Sequence, residues 1–200
     1  MNSDLVFRFV LAILFLLVIG TRRYFELKAA KTANQGLIQD MDSRTQNAIL
    51  SLLLTVSNLA IIVFIINPNW MAWSSITLPV WVRWVGVVLG LAGCAILIWT
   101  HRILGENFFG GMKIRKDHRL ITEGPYRWVR HPMYTAFILL GFAWFILSEN
   151  WFIAAFWLAS AILVIVTRLN KEEDMLLSQF GEAYREYAQE TGRVFPRFWS

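Results

Sequence analysis

Residues 48–66 read AILSLLLTVSNLAIIVFII, nineteen residues without a charge, and their reading decides the fold. A helix rises 1.5 Å per residue, so this run is long enough to cross about 30 Å of hydrocarbon. It ends at Asn67-Pro68-Asn69, a turn signal. Beyond the turn, Trp70, Trp73, Trp81 and Trp84 bracket a loop with no Lys or Arg before Arg83, the pattern of a membrane interface.

Outward from this run the chain repeats the pattern. Leu5 to Gly20 is a first apolar run closed by Arg22 and Arg23, short enough to need Arg8 to snorkel. Asp4 precedes Arg8 and no small-residue cleavage site follows, so a retained span is expected rather than a signal peptide. Residues 21–47 mix Lys and Arg with Asn34, Gly36 and Asp40 and read as a polar, partly helical connector. Val80 to Thr100 carries Gly86, Gly90 and Gly93 at a spacing that suits close helix contact. Tyr134 to Leu147 and Trp151 to Thr167 follow, joined tightly by Ser148-Glu149-Asn150 as an antiparallel hairpin. The first of these two reaches span length only when extended back toward Val129.

The expected fold is an all-α integral membrane protein: one domain over 1–200, with spans at about 5–20, 48–66, 80–100, 130–147 and 151–167 and a tail at 168–200. Composition agrees. The 200 residues are 56% hydrophobic and 16% charged, where a soluble domain carries about 25% charge. The mean hydropathy is +0.48. A net charge of +5 could suggest nucleic acid, but the basic residues cluster in 21–47, 101–130 and 168–200 while 67–79 and 148–150 hold none. This is a topology signal with the N-terminus outside and the C-terminus cytoplasmic, and no nucleic-acid partner is expected. Cys94, inside an apolar run, reads as a small buried hydrophobe, and His101, His118 and His131 lack metal-site spacing.

Two segments on the cytoplasmic side carry the chemistry. Gly124-Pro125-Tyr126-Arg127-Trp128-Val129-Arg130-His131-Pro132-Met133-Tyr134 leads from the most basic loop into the fourth run. Pro132 can open a helix, because its missing N–H would be unpaired in the first turn anyway. Arg130 and His131 then lie beside a helix N-terminus, where an anion is favoured. The ordinary alternative is an interface anchor made of Arg130 and Trp128. Near the other end, Asn170-Lys171-Glu172-Glu173 reads as a helix start with Asn170 as N-cap and Glu173 as its capping-box partner. Leu176, Phe180, Tyr184 and Tyr187 then form one face of an amphipathic helix that would lid the cytoplasmic end.

The Arg130-His131-Pro132-x-Tyr134 core resembles the isoprenylcysteine carboxyl methyltransferase and phospholipid methyltransferase group. Leu104-Gly105-Glu106-Asn107-Phe108 upstream supports the resemblance, as do Arg168-x-x-Lys171-Glu172-Glu173 and Phe180-Gly181-Glu182-x-Tyr184-x-x-Tyr187 downstream. Phe108 stands where the family often has Trp. The likeness covers roughly residues 80–198 and is closest to short prokaryotic membrane members with five spans, which implies a prokaryotic inner membrane.

The resemblance implies S-adenosyl-L-methionine as cofactor and a lipid-like acceptor entering from the bilayer. It points to Asn107, Tyr126, Arg130, His131, Pro132, Tyr134, Glu172 and Glu173 as cofactor-binding residues and to Arg168 as the catalytic one. Arg130 and His131 suit the cofactor's carboxylate, and Glu172 and Glu173 its ammonium or ribose, with the pairing left open. Phe108, Tyr126 and Tyr134 could pack on adenine or the sulfonium. Methyl transfer to a carboxylate needs no general base, and Arg168 would align the acceptor. An amine acceptor would instead need Glu173 or His101 to take a proton. A sterol-reductase-like enzyme would use NADPH and more spans. A non-enzymatic scaffold would leave Arg130 and the Glu pair as interface residues, and a channel would carry charge within its later spans.

Overall fold

The computed structural model describes residues 3–32, 37–40, 44–105, 113–115 and 120–197. It is helical, with α1 over Ser3–Thr32, α2 over Arg44–Ile66, α3 over Val80–Leu104, α4 over Pro132–Ser148 and α5 over Trp151–Val164. A π-helical turn, Ile165–Leu169, carries α5 into α6 at Asn170–Phe180, and α7 follows at Glu182–Glu190. Among the described residues a short antiparallel pair, β1 at Leu37–Asp40 and β2 at Lys113–Arg115, departs from the all-α expectation.

Among the described residues, four helices are long and apolar enough to cross a membrane: Ser3–Ala29, Thr45–Ile66, Val80–Leu104 and Trp151–Phe180. The α4 helix, expected as a full span, is a shorter apolar helix of 17 residues. The distribution of side chains fits lipid on the outside. Phe9, Leu16, Leu52, Leu59, Val88, Phe142 and Leu158 are all exposed along the apolar helices, where a water-soluble bundle would place polar residues. Phe7, Leu11, Leu14, Ile61, Leu97, Leu140, Trp144, Leu147 and Ile153 form the interior.

The closest packing is between α3 and α4, and the glycine stripe explains it. A Cβ at Gly86 would lie 2.7 Å from Ile146 Cγ2, and one at Gly93 would lie 2.8 Å from Leu140 Cγ. The missing side chains let α4 lie against α3, as the sequence spacing predicts.

At the end carrying the short loops, polar groups are buried and paired. Asn150 donates to Ser74 Oγ at 2.7 Å and accepts from Ile153 N at 3.2 Å, capping α5. Arg83, only 5% exposed, pairs with Asp4 and with Glu149 at 3.1 Å and lies over the Phe7 ring. Trp70, Trp73, Trp81, Trp84 and Trp151 are exposed around them, as at a membrane–water interface.

Three expected boundaries move. The first helix does not stop near residue 20: α1 runs to Thr32, with Glu26 pairing to Arg22 and Arg23 at i,i+4 and i,i+3 spacing on the segment read as a connector. The fifth helix does not stop at 167 either. Asn170 has φ −66° and ψ −42°, so it continues a helix instead of capping one, and Glu173 loses its capping-box explanation. No Gly or Pro interrupts residues 151–180, and the extra residue of the π turn is absorbed without a break. The amphipathic tail is split instead at Gly181, whose φ of +55° disfavours a side chain, and α7 turns to bury Tyr184 and Tyr187.

Candidate functional site

Pro132 begins α4, with His131 as the residue before it at φ −125° and ψ 63°. The approach to this start is held by the chain's C-terminal strap. Arg130 N donates to Gly192 O at 2.8 Å, His131 N to Arg193 O at 2.9 Å, and Gly192 N to Trp128 O at 3.1 Å. Thr135 Oγ1 also donates to Val194 O. Backbone carbonyls therefore take the N–H groups of Arg130 and His131 just before the helix start.

The side chains of Arg130 and His131 face the first turn of α6. Arg130 Nε donates to Glu173 Oε1 at 2.9 Å, and its Nη1 to the carbonyls of Ala188 and Thr191. Arg193 contributes a second guanidinium, with Nε donating to Glu173 Oε2 at 2.9 Å and Nη2 to Asn170 Oδ1 at 2.7 Å. His131 lies between the two carboxylates, with Nδ1 3.4 Å from Glu172 Oε2 and Nε2 3.4 Å from Glu173 Oε1. Burial by itself would lower the His131 pKa, but these carboxylates outweigh it and hold the imidazole above its ordinary value. Tyr134 stacks on His131, ring centroids 5.5 Å apart, and donates to Glu172 Oε1 at 2.7 Å. Glu173 thus sits among cations, while Glu172 is held by the Tyr134 hydroxyl and one edge of His131.

This cluster borders a cavity of about 320 Å³. Its polar end is formed by Tyr126, Arg130, His131, Tyr134, Arg168 and Glu172, with Pro132 beside them. Its apolar wall comes from Leu50 and Leu54 of α2, Phe137 and Ile138 of α4, and Trp157 and Val164 of α5. The Tyr187 hydroxyl donates to Tyr126 O at 2.8 Å, so α7 fixes the loop that carries Tyr126. Arg168 lies in the π turn and donates to Asn47 Oδ1 of α2, which ties both sides of the cavity together. Arg168 and Glu172, four residues apart on the continuous helix, share one lining.

Of the residues singled out from sequence, Tyr126, Arg130, His131, Pro132, Tyr134, Arg168 and Glu172 line one cavity. Glu173 stands behind them, gripping Arg130, and Asn107 lies outside the described residues. The chemistry of this donor set fits S-adenosylmethionine: carboxylate for ammonium, cations for carboxylate, and aromatic rings for adenine and sulfonium. Sequence reasoning missed Arg22 and Glu26 of α1 and the apolar contributions of α2. The available signal was the i,i+4 spacing of Arg22 and Glu26, which marks continued helix.

Comparisons with known proteins agree with the motif resemblance. The isoprenylcysteine carboxyl methyltransferase (ICMT) family model matches residues 84–178. A protein-S-isoprenylcysteine O-methyltransferase of Tribolium castaneum is 33% identical over 123 residues, covering 58% of this chain and 42% of that protein. One from Dictyostelium discoideum is 28% identical over 155 residues, covering 70% of this chain and 60% of its own length. This chain therefore spans about half the length of the curated relatives it matches. The solved structure of the eukaryotic intramembrane Ras methyltransferase ICMT superposes with a TM-score of 0.54 at 27% identity, over 78% of this chain and 54% of that one.

Proposed function

We infer that the chain is a membrane-embedded methyltransferase of the isoprenylcysteine carboxyl methyltransferase family, moving a methyl group from S-adenosylmethionine to the carboxylate of a lipid-like, isoprenylcysteine-type acceptor. One observation carries the reading: a single cavity has a charged, aromatic end formed by both motif segments and an apolar wall formed by α2, α4 and α5. When bound, S-adenosylmethionine supplies an electrophilic methyl on its sulfonium. Everything else falls to the chain's residues.

Glu172, oriented by Tyr134 and His131, holds the cofactor's ammonium. Tyr126 and Tyr134 would hold its aromatic and sulfonium parts, Arg130, His131 and Pro132 would fix its polar wall, and the motif assigns Asn107 to the same cofactor. Glu173 acts through Arg130 and is a positioning residue. Arg168 is the proposed catalytic residue: its planar fork would hold the acceptor carboxylate for transfer and cannot lose its proton. A carboxylic acid with a pKa near 4 is already ionised, so no base is required. Phe137, Trp157 and Leu54 keep water from the reacting oxygen and accept the apolar chain. Lys and Arg asymmetry supports an orientation with this site on the cytoplasmic face.

The test is a methylation assay on purified protein in lipid nanodiscs with isotopically labelled S-adenosylmethionine, offering a farnesylated cysteine acid and a phospholipid headgroup amine together. Label on the acid, as a base-labile ester, is the expected result. Label only on the amine would move the chain to lipid-amine methylation, and label on neither would remove the reading.

A further inference from the structure

We propose that Arg22 of α1 is a second anion-binding residue of the acceptor site, which selects amphiphiles with a carboxylate head over neutral ones of the same shape. This rests on the reading that the cavity receives the acceptor. Arg22 lies outside the residues 84–178 matched by the family model, so it is a contribution of this chain's first helix.

The contrast between neighbours is informative. Arg22 and Arg23 end the first apolar run together, and either would serve as an interface anchor. Arg23 behaves as one, its side chain 72% exposed. Arg22 is turned inward, with its guanidinium carbon 5.4 Å from the centre of the Phe137 ring, and it lines the cavity with Glu26. An aromatic face under the guanidinium leaves the donor edge available for a planar anion.

Three other cations at this end are more fully engaged. Arg130 donates to Glu173 and two carbonyls, Arg193 to Glu173 and Asn170, and His131 is held between Glu172 and Glu173. Arg22 is paired with Glu26 at 3.5 Å, longer than the roughly 2.7–2.9 Å of a strong charge-assisted bond. An arriving carboxylate can improve on that contact. Arg22 of α1 and Arg168 of the π turn after α5 line one cavity, so an acid held by both would join α1 and that turn through the same ligand. Glu26 acts as the competing anion.

The experiment is calorimetric titration, in lipid nanodiscs, of a farnesylated cysteine acid and its methyl ester into the wild-type, Arg22→Gln and Glu26→Gln proteins. Wild type should prefer the acid. Arg22→Gln should lose roughly tenfold in acid affinity with ester binding unchanged, as expected for one charge-assisted partner. Glu26→Gln should bind the acid more tightly, an effect in the opposite direction that remains decisive if the Arg22 variant folds poorly. An unchanged acid preference in Arg22→Gln, or weaker acid binding in Glu26→Gln, overturns the proposal while leaving methyl transfer standing. The expected binding pattern without methyl transfer would overturn the methyltransferase reading and leave the anion site. A wild type that binds neither compound overturns both.

Discussion

Arg130 and Glu173, 43 residues apart in sequence, form an ion pair at 2.9 Å that joins the start of α4 to the first turn of α6 in the long α5–α6 helix. Both side chains are largely buried, at 10% and 19% exposure. Arg130 also donates to two carbonyls near the end of α7, so one guanidinium gathers three parts of the chain. The polar end of the cavity is built on that junction.

Removing one member of a buried pair leaves the other without compensation, which is worse than never having buried either. Arg130→Ala should therefore destabilise the protein by about 3 kcal/mol. Glu173→Gln should cost less, because the amide oxygen still accepts from one of the two guanidiniums, although the NH2 then faces the other. Thermal unfolding in detergent, followed by tryptophan fluorescence, measures both. Equal, negligible losses would mean the pair is not the junction described.

His131 gives that junction a pH dependence. Its pKa is raised in the folded protein by Glu172 and Glu173, against the opposing effect of burial. A raised pKa contributes stability that is complete below the unfolded value of about 6.5 and is lost as pH rises through the folded value. The melting temperature should fall on the alkaline side of pH 6.5, and His131→Gln should flatten that slope. A wild-type curve that rises across the same range would contradict the assignment.

Much of this architecture is legible in the sequence because apolar run length reports directly on the spanning helices. The start of α4 was readable from Pro132, and the packing of α3 on α4 from the spacing of Gly86, Gly90 and Gly93. The continuity of α5 into α6 was not, since Asn170 looks locally like a cap and only the surrounding helix decides otherwise. Arg22 and Glu26 were hidden for a related reason: a helix leaving the bilayer becomes as charged as a loop. The strap at Gly192 and Arg193 has no local signal at all, because its pairing partners are Trp128, Arg130 and His131.

The inferred orientation can be measured on single-cysteine reporters. Ser75 and Ser178 are both exposed and lie in the short-loop end and α6 respectively, while Cys94 is buried and should label poorly. In intact cells, an impermeant maleimide should label Ser75→Cys and spare Ser178→Cys. The reverse pattern would invert the topology and place the cavity on the outer face.

Gly141 offers a test of the apolar wall. A Cβ there would overlap Cδ1 and Nε1 of Trp157, whose Nε1 donates to Phe137 O at 2.9 Å. Gly141→Ala should push Trp157 out of position at a cost of about 1–3 kcal/mol, the usual range for overpacking. Both aromatic residues line the cavity, so binding of long-chain acids should change more than cofactor binding. Unaltered stability and acid affinity would show that Trp157 relocates freely.

Arg168 separates catalysis from anchoring. It sits in the π turn, lines the cavity and donates to Asn47 on α2, so a purely structural role would also predict a defect on truncation. The two roles differ in where the defect appears. If Arg168 holds the acceptor carboxylate during transfer, Arg168→Leu should lower the turnover of folded protein by roughly 100-fold or more, about 3 kcal/mol of transition-state stabilisation, while cofactor affinity stays nearly constant. Arg168→Lys keeps the charge, and with it the topology signal, but loses the planar fork. It should recover yield and stability yet remain well below wild type on the acid. Initial rates at saturating cofactor, normalised to the fraction of protein that binds it, make the comparison. Wild-type turnover by the Lys variant would rule out bidentate positioning, and a loss confined to yield would return Arg168 to the role of anchor.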